Sequence, residues 1–466
     1  MNRGKRFVKK TAIYTIGNFG SKILTFLMIP YYTFNIPTDE YGVYDVMIVT
    51  ITLLMPVITL QTQEAIISGM IDKERDNSQI IKCTLSITLV NAVLFIVLFC
   101  IINPFFGIQY GWYFVAVLII KSINTIVLQQ VRGLSKTSLY AATGVIHTVV
   151  FLSFNIVFIS VFHMGIEGLF VSEIIASAVG ITIATARAPE IIKSLRVKSK
   201  KNELFRIIRY SLPLIPNNIS WWLINASDRY VISFFLDSTA NGIYAISYKF
   251  ANILQTVTSL VYLAWQEISL EEYKSKDKDT FYSNFFNSYM KFLLSAVLIA
   301  ICLTKFITVS FMASSYSDAW KYSAWLLMGV AYSALSAFLN SCYLANGNTG
   351  EILKGTLISG FINIAVDVAL VNFIGIYAAS LSTVVSAFIL LLYRIRDNKK
   401  YYKLVVDYKA FWIMTGLCTA YSLLILLSEY YILDFCLLVP AIVLFILLNK
   451  NILGKVMKKI LKRKAG

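Results

Sequence analysis

Charged residues are scarce in this sequence. Asp, Glu, Lys and Arg make up 14% of the 466 residues, whereas hydrophobic residues make up 58% and the mean hydropathy is +0.69. A soluble domain keeps about a quarter of its residues charged, so the composition excludes an ordinary soluble fold. Apolar runs such as 80–102 are too long for barrel strands of about ten residues. They predict helices that cross a membrane.

Metal ligands and nucleotide-binding motifs are also lacking. Histidine occurs only at His147 and His163, and the six cysteines form no CxxC pair. This pattern indicates neither a histidine metal site nor a disulfide framework. The sequence contains no GxxxxGK[ST] phosphate loop and no soluble domain to hold ATP. We therefore expect no metal, no other cofactor and no catalytic residues, and we expect a coupled ion to drive any directional transport.

Hydropathy predicts about fourteen transmembrane helices. They lie near 11–31, 41–67, 80–102, 112–131, 139–161, 168–186, 212–235, 240–265, 286–312, 322–343, 355–373, 376–393, 410–427 and 432–448. Of the 42 Lys and Arg residues, 35 fall in alternate segments that include both termini, and the intervening loops hold Lys321 alone. Because basic loops stay in the cytoplasm, both termini are predicted to be cytoplasmic. The net charge of +17 therefore indicates orientation, and we expect no nucleic-acid partner.

The two halves of the chain resemble each other. FNIVF at 154–158 resembles INIAV at 362–366, and GIEGLFVSEIIASA at 165–178 resembles GIYAASLSTVVSAF at 375–388. Near the start of each half, GNFGSK…EYGVYDV and PNNIS…ANGIYAI share three residues at an offset of 200: Asn18 with Asn218, Gly42 with Gly242 and Tyr44 with Tyr244. The order of the matches predicts two repeated units of six helices.

An all-α integral membrane protein follows from these patterns. Six helices per repeat place both repeats in the same orientation, so the two six-helix lobes are predicted to be related by a pseudo-twofold axis along the membrane normal. The predicted domains are lobe 1 at 1–200, lobe 2 at 201–400, two additional transmembrane helices at 401–450 and a basic amphipathic cytoplasmic tail at 451–466. Two lobes about a shared cavity suit alternating access.

Three stretches carry a resemblance to a known family. They are GNFGSKILTFLMIPYYTFNIPTDEYGVYDV at 17–46, GIEGLFVSEII at 165–175 and YSLPLIPNNISWWLINASDRYVISFFLDSTANGIYAISYKFANIL at 210–254. Over roughly residues 5–400 the chain resembles the Wzx-type flippases of O-antigen and other polysaccharide repeat units. These form the polysaccharide-biosynthesis branch of the multidrug/oligosaccharidyl-lipid/polysaccharide exporter superfamily.

The resemblance implies both a fold and a substrate. It implies two six-helix bundles around a cavity, and the flipping of an undecaprenyl-pyrophosphate-linked oligosaccharide from the cytoplasmic to the outer face of the bacterial inner membrane. The other expected partners are H⁺ or Na⁺ and membrane lipids, with a polysaccharide polymerase and a chain-length regulator as further candidates. The resemblance does not fix the sugar.

Ionisable residues within the predicted spans supply the candidate sites, because such residues are costly in a bilayer and are normally turned inward. Cations would offset the desolvation of a pyrophosphate. The candidate substrate-binding residues are Lys22, Arg229, Lys249 and Lys121, of which Lys121 has the alternative of pairing with Glu173. The candidate ion-coupling residues are Asp228, Glu64, Glu173 and Asp367, each with the alternative of a structural partner.

Other functions stay open at this point. One alternative is a flippase for a different lipid-linked precursor, of the peptidoglycan or teichuronic type. A multidrug exporter is a second, although the cationic excess among the buried residues argues against organic cations as cargo. A membrane polysaccharide polymerase is the third and least favoured, because the outer loops are short and carry no paired carboxylates or nucleophile–base set.

Overall fold

A computed structural model describes residues 20–71, 75–273, 275–346, 348–427 and 431–464 of the chain. Within these ranges all regular structure is helical. The residues pack into two compact units, Met1–Trp222 and Leu223–Gly466. We call the first unit lobe 1. The second unit comprises lobe 2 and the two C-terminal helices.

In lobe 1, residues 20–27 are helical and are followed by α1 (Ile29–Asn35), α2 (Thr38–Thr59), α3 (Thr62–Ile71), α4 (Asn77–Phe106), α5 (Gly111–Gly133), α6 (Thr137–Ile156), α7 (Ile166–Arg187), α8 (Pro189–Leu195) and α9 (Lys201–Ser211). The boundary between the units falls within α10 (Ile215–Ala226). Lobe 2 continues with α11 (Asp228–Phe235), α12 (Ser238–Glu272), α13 (Lys278–Phe311), α14 (Trp320–Phe338), α15 (Asn340–Ala345), α16 (Thr349–Ile374) and α17 (Tyr377–Asn398). The last two helices are α18 (Tyr408–Leu427) and α19 (Tyr431–Lys464).

Eleven helical segments in the described residues are long and apolar enough to cross a membrane. Each coincides with one of the predicted spans. The other three predicted spans are the first, which begins outside the described residues, the seventh, which is divided into α10 and α11, and the eighth, α12. At 35 residues α12 is long enough to cross a bilayer, but Ser, Thr, Asn and Gln make it more polar. The all-helical membrane architecture is thus confirmed.

Several predicted spans contain interruptions, one of them at Leu339 between α14 and α15. The span predicted at 41–67 breaks at Leu60 and Gln61, whose φ angles of 46° and 56° are left-handed. The seventh span opens with a 3-10 turn at Leu212–Leu214 and is interrupted again at Ser227. Proline at 213 explains the first of these two irregularities, because its ring cannot continue an α-helical hydrogen-bond ladder.

The exposed face of α4 shows how the lobes meet lipid. Large apolar side chains at helical spacing remain exposed along this helix: Leu89, Val90, Val93, Leu94, Val97, Leu98 and Ile101. In water such a stripe would be unfavourable, but hydrocarbon is its natural environment. The opposite face of α4 packs against α5 through Ile80, Ile81 and Leu85.

An aromatic cluster forms the core of lobe 2. The Trp265 ring stacks on Phe338 at 3.9 Å between centroids and meets Tyr282 edge-on at 5.1 Å. Its indole nitrogen donates to the Phe338 carbonyl at 2.9 Å. Burial of the ring with its single donor satisfied fixes α12 against α13 and α14.

The basic segment at 187–209, which lies between the sixth and seventh predicted spans, is attached to lobe 1. Arg75 pairs with Glu203 of α9, and Lys82 Nζ donates to the Leu195 carbonyl at 2.9 Å. Gln79 holds the chain between α8 and α9 through the Lys198 carbonyl. The segment therefore belongs to lobe 1 as a packed element. At the other end of the chain, α19 continues as a helix to Lys464, and the membrane-surface role of the tail stays a prediction.

Candidate functional site

A buried carboxylate lies at the centre of lobe 2. Asp228, the first residue of α11, is 1% exposed. Its Oδ2 accepts hydrogen bonds from the Tyr244 hydroxyl at 2.6 Å and from Thr383 Oγ1 at 3.2 Å. With the Asn363 amide oriented so that both of its ends are satisfied, Nδ2 donates to Asp228 Oδ1 at 2.9 Å. Helices α11, α12, α16 and α17 thus converge on one carboxylate.

A second carboxylate lies one helical turn from Asn363. Asp367 on α16 is 0% exposed, and neither of its carboxylate oxygens accepts a hydrogen bond from any residue that the structure describes. It is near enough to Asp228 for the two charges to repel each other. A second ionised carboxylate buried near Asp228 is unfavourable, so a proton, a bound cation or the neighbouring guanidinium of Arg229 would stabilise this acidic centre.

Arg229 is buried beside the acidic centre. It is 4% exposed, and its Nη1 donates to the Asn225 carbonyl at 2.6 Å. Its guanidinium lies 4.0 Å from the Tyr248 ring centroid and 5.3 Å from that of Tyr244, in cation–π geometry. Lys249, the residue after Tyr248 on α12, is half-buried.

Lobe 1 contains its own buried carboxylate. Glu173 on α7 has a side chain only 7% exposed, and its Oε1 lies 3.1 Å from Lys121 Nζ on α5. His147 Nε2 on α6 approaches the same oxygen at 3.5 Å and Ser177 Oγ at 3.3 Å. The pairing of Lys121 with Glu173, considered from the sequence as the alternative to substrate binding, is therefore present.

Two other candidates occupy different surroundings. Lys22 lies on the helical segment at 20–27 and is exposed. Glu64 lies on α3, just beyond the break at Leu60 and Gln61, and is also exposed. Glu64 thus lacks the burial that Asp228, Glu173 and Asp367 share.

Among the described residues, no group of three or more His, Cys, Asp or Glu side chains is arranged to hold a metal ion. All six cysteines are free. A Na⁺ ion is a different case, because it can be held by two carboxylates together with neutral oxygens. The hydroxyls of Tyr244 and Thr383 supply such oxygens at Asp228.

A mostly apolar groove of about 650 Å³ runs along the first half of α13 in lobe 2. Aromatic and polar side chains alternate along its wall. Its lining includes Phe281, Phe285, Tyr289 and Phe292 from α13 and Val261 from α12. A groove of this shape and chemistry suits a long hydrocarbon chain.

Four residues that contact Asp228 or Glu173 were not predicted from the sequence: Tyr244, Asn363, Thr383 and His147. Tyr244 does fall on a repeat match, and Asn363 falls in INIAV, the partner of FNIVF. The signal available was therefore the repeat itself, since polar residues retained at equivalent places in apolar helices indicate a shared buried network.

Comparison with known proteins places this geometry in context. Residues 7–265 match the family model described as polysaccharide biosynthesis protein. No curated protein matches the chain significantly. The solved structure of the lipid II flippase MurJ, in an inward closed conformation, aligns over 96% of this chain and 100% of its own, with a TM-score of 0.69 at 14% identity.

Multidrug transporters share the same fold. An inward-facing multidrug resistance MATE family transporter of the MOP superfamily covers 83% of this chain and 95% of its own, with a TM-score of 0.66 at 12% identity. A mutant of the Vibrio cholerae MATE transporter VcmN covers 85% and 96%, with a TM-score of 0.56 at 13% identity. At such identities the likeness establishes the fold and leaves the cargo open.

Proposed function

This chain belongs to the polysaccharide biosynthesis protein family, and from that premise we propose that it flips an undecaprenyl-pyrophosphate-linked oligosaccharide across the bacterial inner membrane by alternating access. The cargo has a compact anion, a sugar chain and a long apolar tail. Lobe 2 holds features that match two of these parts: the guanidinium of Arg229 and the aromatic groove along α13. The presence of both in one lobe is the observation that carries the proposal.

Arg229 is the proposed ligand of the pyrophosphate. Its guanidinium already sits on the Tyr248 ring, so it is held in place rather than solvated as a flexible side chain. Arg binds phosphate groups through paired hydrogen bonds, which a lysine cannot reproduce. Lys22 and Lys249 are proposed as further point charges along the path. Lys121 is the weakest of the four candidates, because Glu173 already neutralises it.

A complementation experiment tests the role of Arg229. In a flippase-null strain we expect the wild-type chain to restore surface polysaccharide and to prevent accumulation of lipid-linked units on the cytoplasmic face. Arg229→Ala should lose flipping while protein abundance stays normal, and Arg229→Lys should recover only part of it. A loss of abundance that accounts for the whole defect would instead assign Arg229 a structural role.

Arg394 provides a matched control. It is also a fully buried arginine of lobe 2, but it donates to the neutral oxygens of Ser336 and Thr356 near the end of α17. Arg394→Ala therefore removes a buried guanidinium outside the proposed path. Flipping per protein molecule should survive in Arg394→Ala and fail in Arg229→Ala. Equal failure in the two variants would contradict the proposal.

We further propose that the acidic centre of Asp228 and Asp367 carries the coupled cation, H⁺ or Na⁺. The support is the pair of buried carboxylates with neutral oxygens around them. Binding of a cation to a folded protein raises its thermal stability. Wild-type protein in nanodiscs should melt at a higher temperature in NaCl than in choline chloride, or at lower pH. Asp228→Asn/Asp367→Asn should abolish that response.

The MATE-like fold keeps drug export as the second candidate function. The same complementation strain separates the two functions. If the chain raised drug resistance and did not restore glycan export, the exporter would replace the flippase.

A further inference from the structure

The buried carboxylate of lobe 1 has a counterpart position in lobe 2. In the aligned repeat segments 165–178 and 375–388, Glu173 corresponds to Thr383. Thr383 is the residue that donates to Asp228 in the acidic centre of lobe 2. In lobe 1 the residue at this repeat position, Glu173, is itself the buried carboxylate. In lobe 2 the residue at this position, Thr383, donates to a carboxylate on another helix, Asp228 on α11.

Two further pairs of repeat residues surround these positions. Tyr244 donates to Asp228, and the ring of its counterpart Tyr44 packs 5.1 Å from that of Phe170, three residues before Glu173 on α7. Asn363 donates to Asp228. Its counterpart Asn155 is equally buried and donates to the Tyr32 hydroxyl at 2.8 Å, in the first span of its own repeat.

The two centres differ in what lies against the repeat residue. In lobe 2, α14 presents Gly329 to Thr383, and a Cβ on that glycine would come within 2.8 Å of the threonine methyl group. In lobe 1, the equivalent fourth helix of the repeat, α5, presents Lys121, whose ammonium lies 3.1 Å from Glu173. Lobe 1 thus places an ammonium directly against the repeat residue, whereas lobe 2 has a glycine there and its positive charge, Arg229, follows Asp228 on α11.

Lys121 lies deep in the membrane. It is the eleventh residue of the 23-residue α5, roughly 15 Å from either end at 1.5 Å per residue. Its side chain is 32% exposed, whereas that of Glu173 behind it is 7% exposed. A charge at this depth is turned away from lipid. The Lys121 ammonium therefore points towards Glu173 and covers the more exposed side of its carboxylate.

We infer that lobe 1 contains a second acidic centre whose cation is built in, with the Lys121 ammonium in the place that an exchangeable H⁺ or Na⁺ takes in lobe 2. His147, at 3.5 Å from the same carboxylate oxygen, completes the wall of this site. The ligand class of the site without Lys121 is a small monovalent cation. The corollary that the wild-type chain exchanges cations through lobe 2 alone rests on the proposed function.

Removal of the tethered ammonium tests the inference. Lys121→Met is introduced into full-length protein that already carries Asp228→Asn/Asp367→Asn, so that lobe 2 contributes no cation response. Melting temperature in nanodiscs is compared between NaCl and choline chloride at equal ionic strength, and across a pH series. The Lys121→Met protein should gain a rise of several degrees with Na⁺ or with acid, because Glu173 then lacks its counter-ion.

Three variants keep the result specific. Adding Glu173→Gln to Lys121→Met should remove the new response, and Lys121→Arg, which retains a tethered cation, should never acquire it. Adding His147→Gln shows whether an acid response requires the imidazole. Should Lys121→Met fail to accumulate, Lys121→Gln preserves the polar length and takes its place.

The inference is overturned if folded Lys121→Met or Lys121→Gln protein responds to neither Na⁺ nor acid, or if the response persists after Glu173→Gln. Because the test protein already carries Asp228→Asn/Asp367→Asn, this outcome can be told apart from failure of the proposed function. Loss of support for coupling at Asp228 and Asp367 would appear in the wild-type comparison alone, before any change at Lys121.

Discussion

The hydrogen bond from Tyr244 to Asp228 can be measured as a coupling free energy. Tyr244→Phe deletes one hydroxyl from a fully buried ring and removes the 2.6 Å donor to Oδ2, while Thr383 and Asn363 continue to donate. A hydrogen bond to an ionised group contributes about 1.5–3 kcal/mol, and one between neutral groups about 0.5–1.5 kcal/mol. An ionised Asp228 therefore predicts a coupling of about 1.5–3 kcal/mol.

A double-mutant cycle measures this coupling. The free energy of unfolding is obtained in mixed detergent micelles for wild type, Tyr244→Phe, Asp228→Asn and the double variant. The control cycle uses Tyr332→Phe and Thr415→Val, because the Tyr332 hydroxyl donates to a neutral oxygen at 3.3 Å. Coupling below about 0.5 kcal/mol at Asp228, which is the limit of simple additivity, would refute the assigned hydrogen bond.

Three further variants test other parts of the structure. Gly329→Ala should destabilise lobe 2 by about 1–3 kcal/mol in an unfolding titration, because its Cβ would press on Thr383. Trp265→Ala should cost about 3–5 kcal/mol by the same assay, since it empties the aromatic core. The hydrogen bond from Lys136 lowers the pKa of Glu190. The stabilisation from that exposed pair, about 0.2–1 kcal/mol, should be present at neutral pH, disappear as the pH falls through the lowered pKa, and be absent in Glu190→Gln.

The membrane spans were largely predictable because each depends on a continuous apolar run. The run at 80–102 belongs to α4, and the run at 112–131 belongs to α5. Interruptions were harder to predict. Leu60 and Gln61 adopt left-handed conformations without a glycine or asparagine to signal them, and such backbone strain is imposed by packing around the residues rather than by their own preferences.

The candidate site was predictable in its charges and not in their partners. Asp228, Glu173 and Asp367 stand out because ionisable residues are costly in apolar helices. Their partners Thr383 and Asn363 do not stand out, because hydroxyl and amide side chains are common in membrane helices and bond there to many neighbours. Only the packing of α16 and α17 on α11 shows which of them face the carboxylate.

The two acids of lobe 2 should respond to neutralisation in opposite directions. Asp228 begins α11, where the dipole of that helix favours a negative charge by up to about 2 kcal/mol. Burial of an ion costs several kcal/mol, so the donors Tyr244, Thr383 and Asn363 supply the remaining stabilisation. Asp367 lies well inside α16 and has neither a helix start nor a side-chain donor among the described residues.

Asp367 is therefore the acid that depends on a bound cation or proton. In cation-poor buffer at high pH, Asp367→Asn should raise the melting temperature, because it removes an uncompensated buried charge that repels Asp228. Asp228→Asn should lower it, because the amide presents N–H groups where three donors expect an oxygen acceptor. In saturating NaCl the gain in melting temperature from Asp367→Asn should shrink or reverse. A destabilising effect of Asp367→Asn that is the same in both buffers would show that Asp367 has no role in binding a cation.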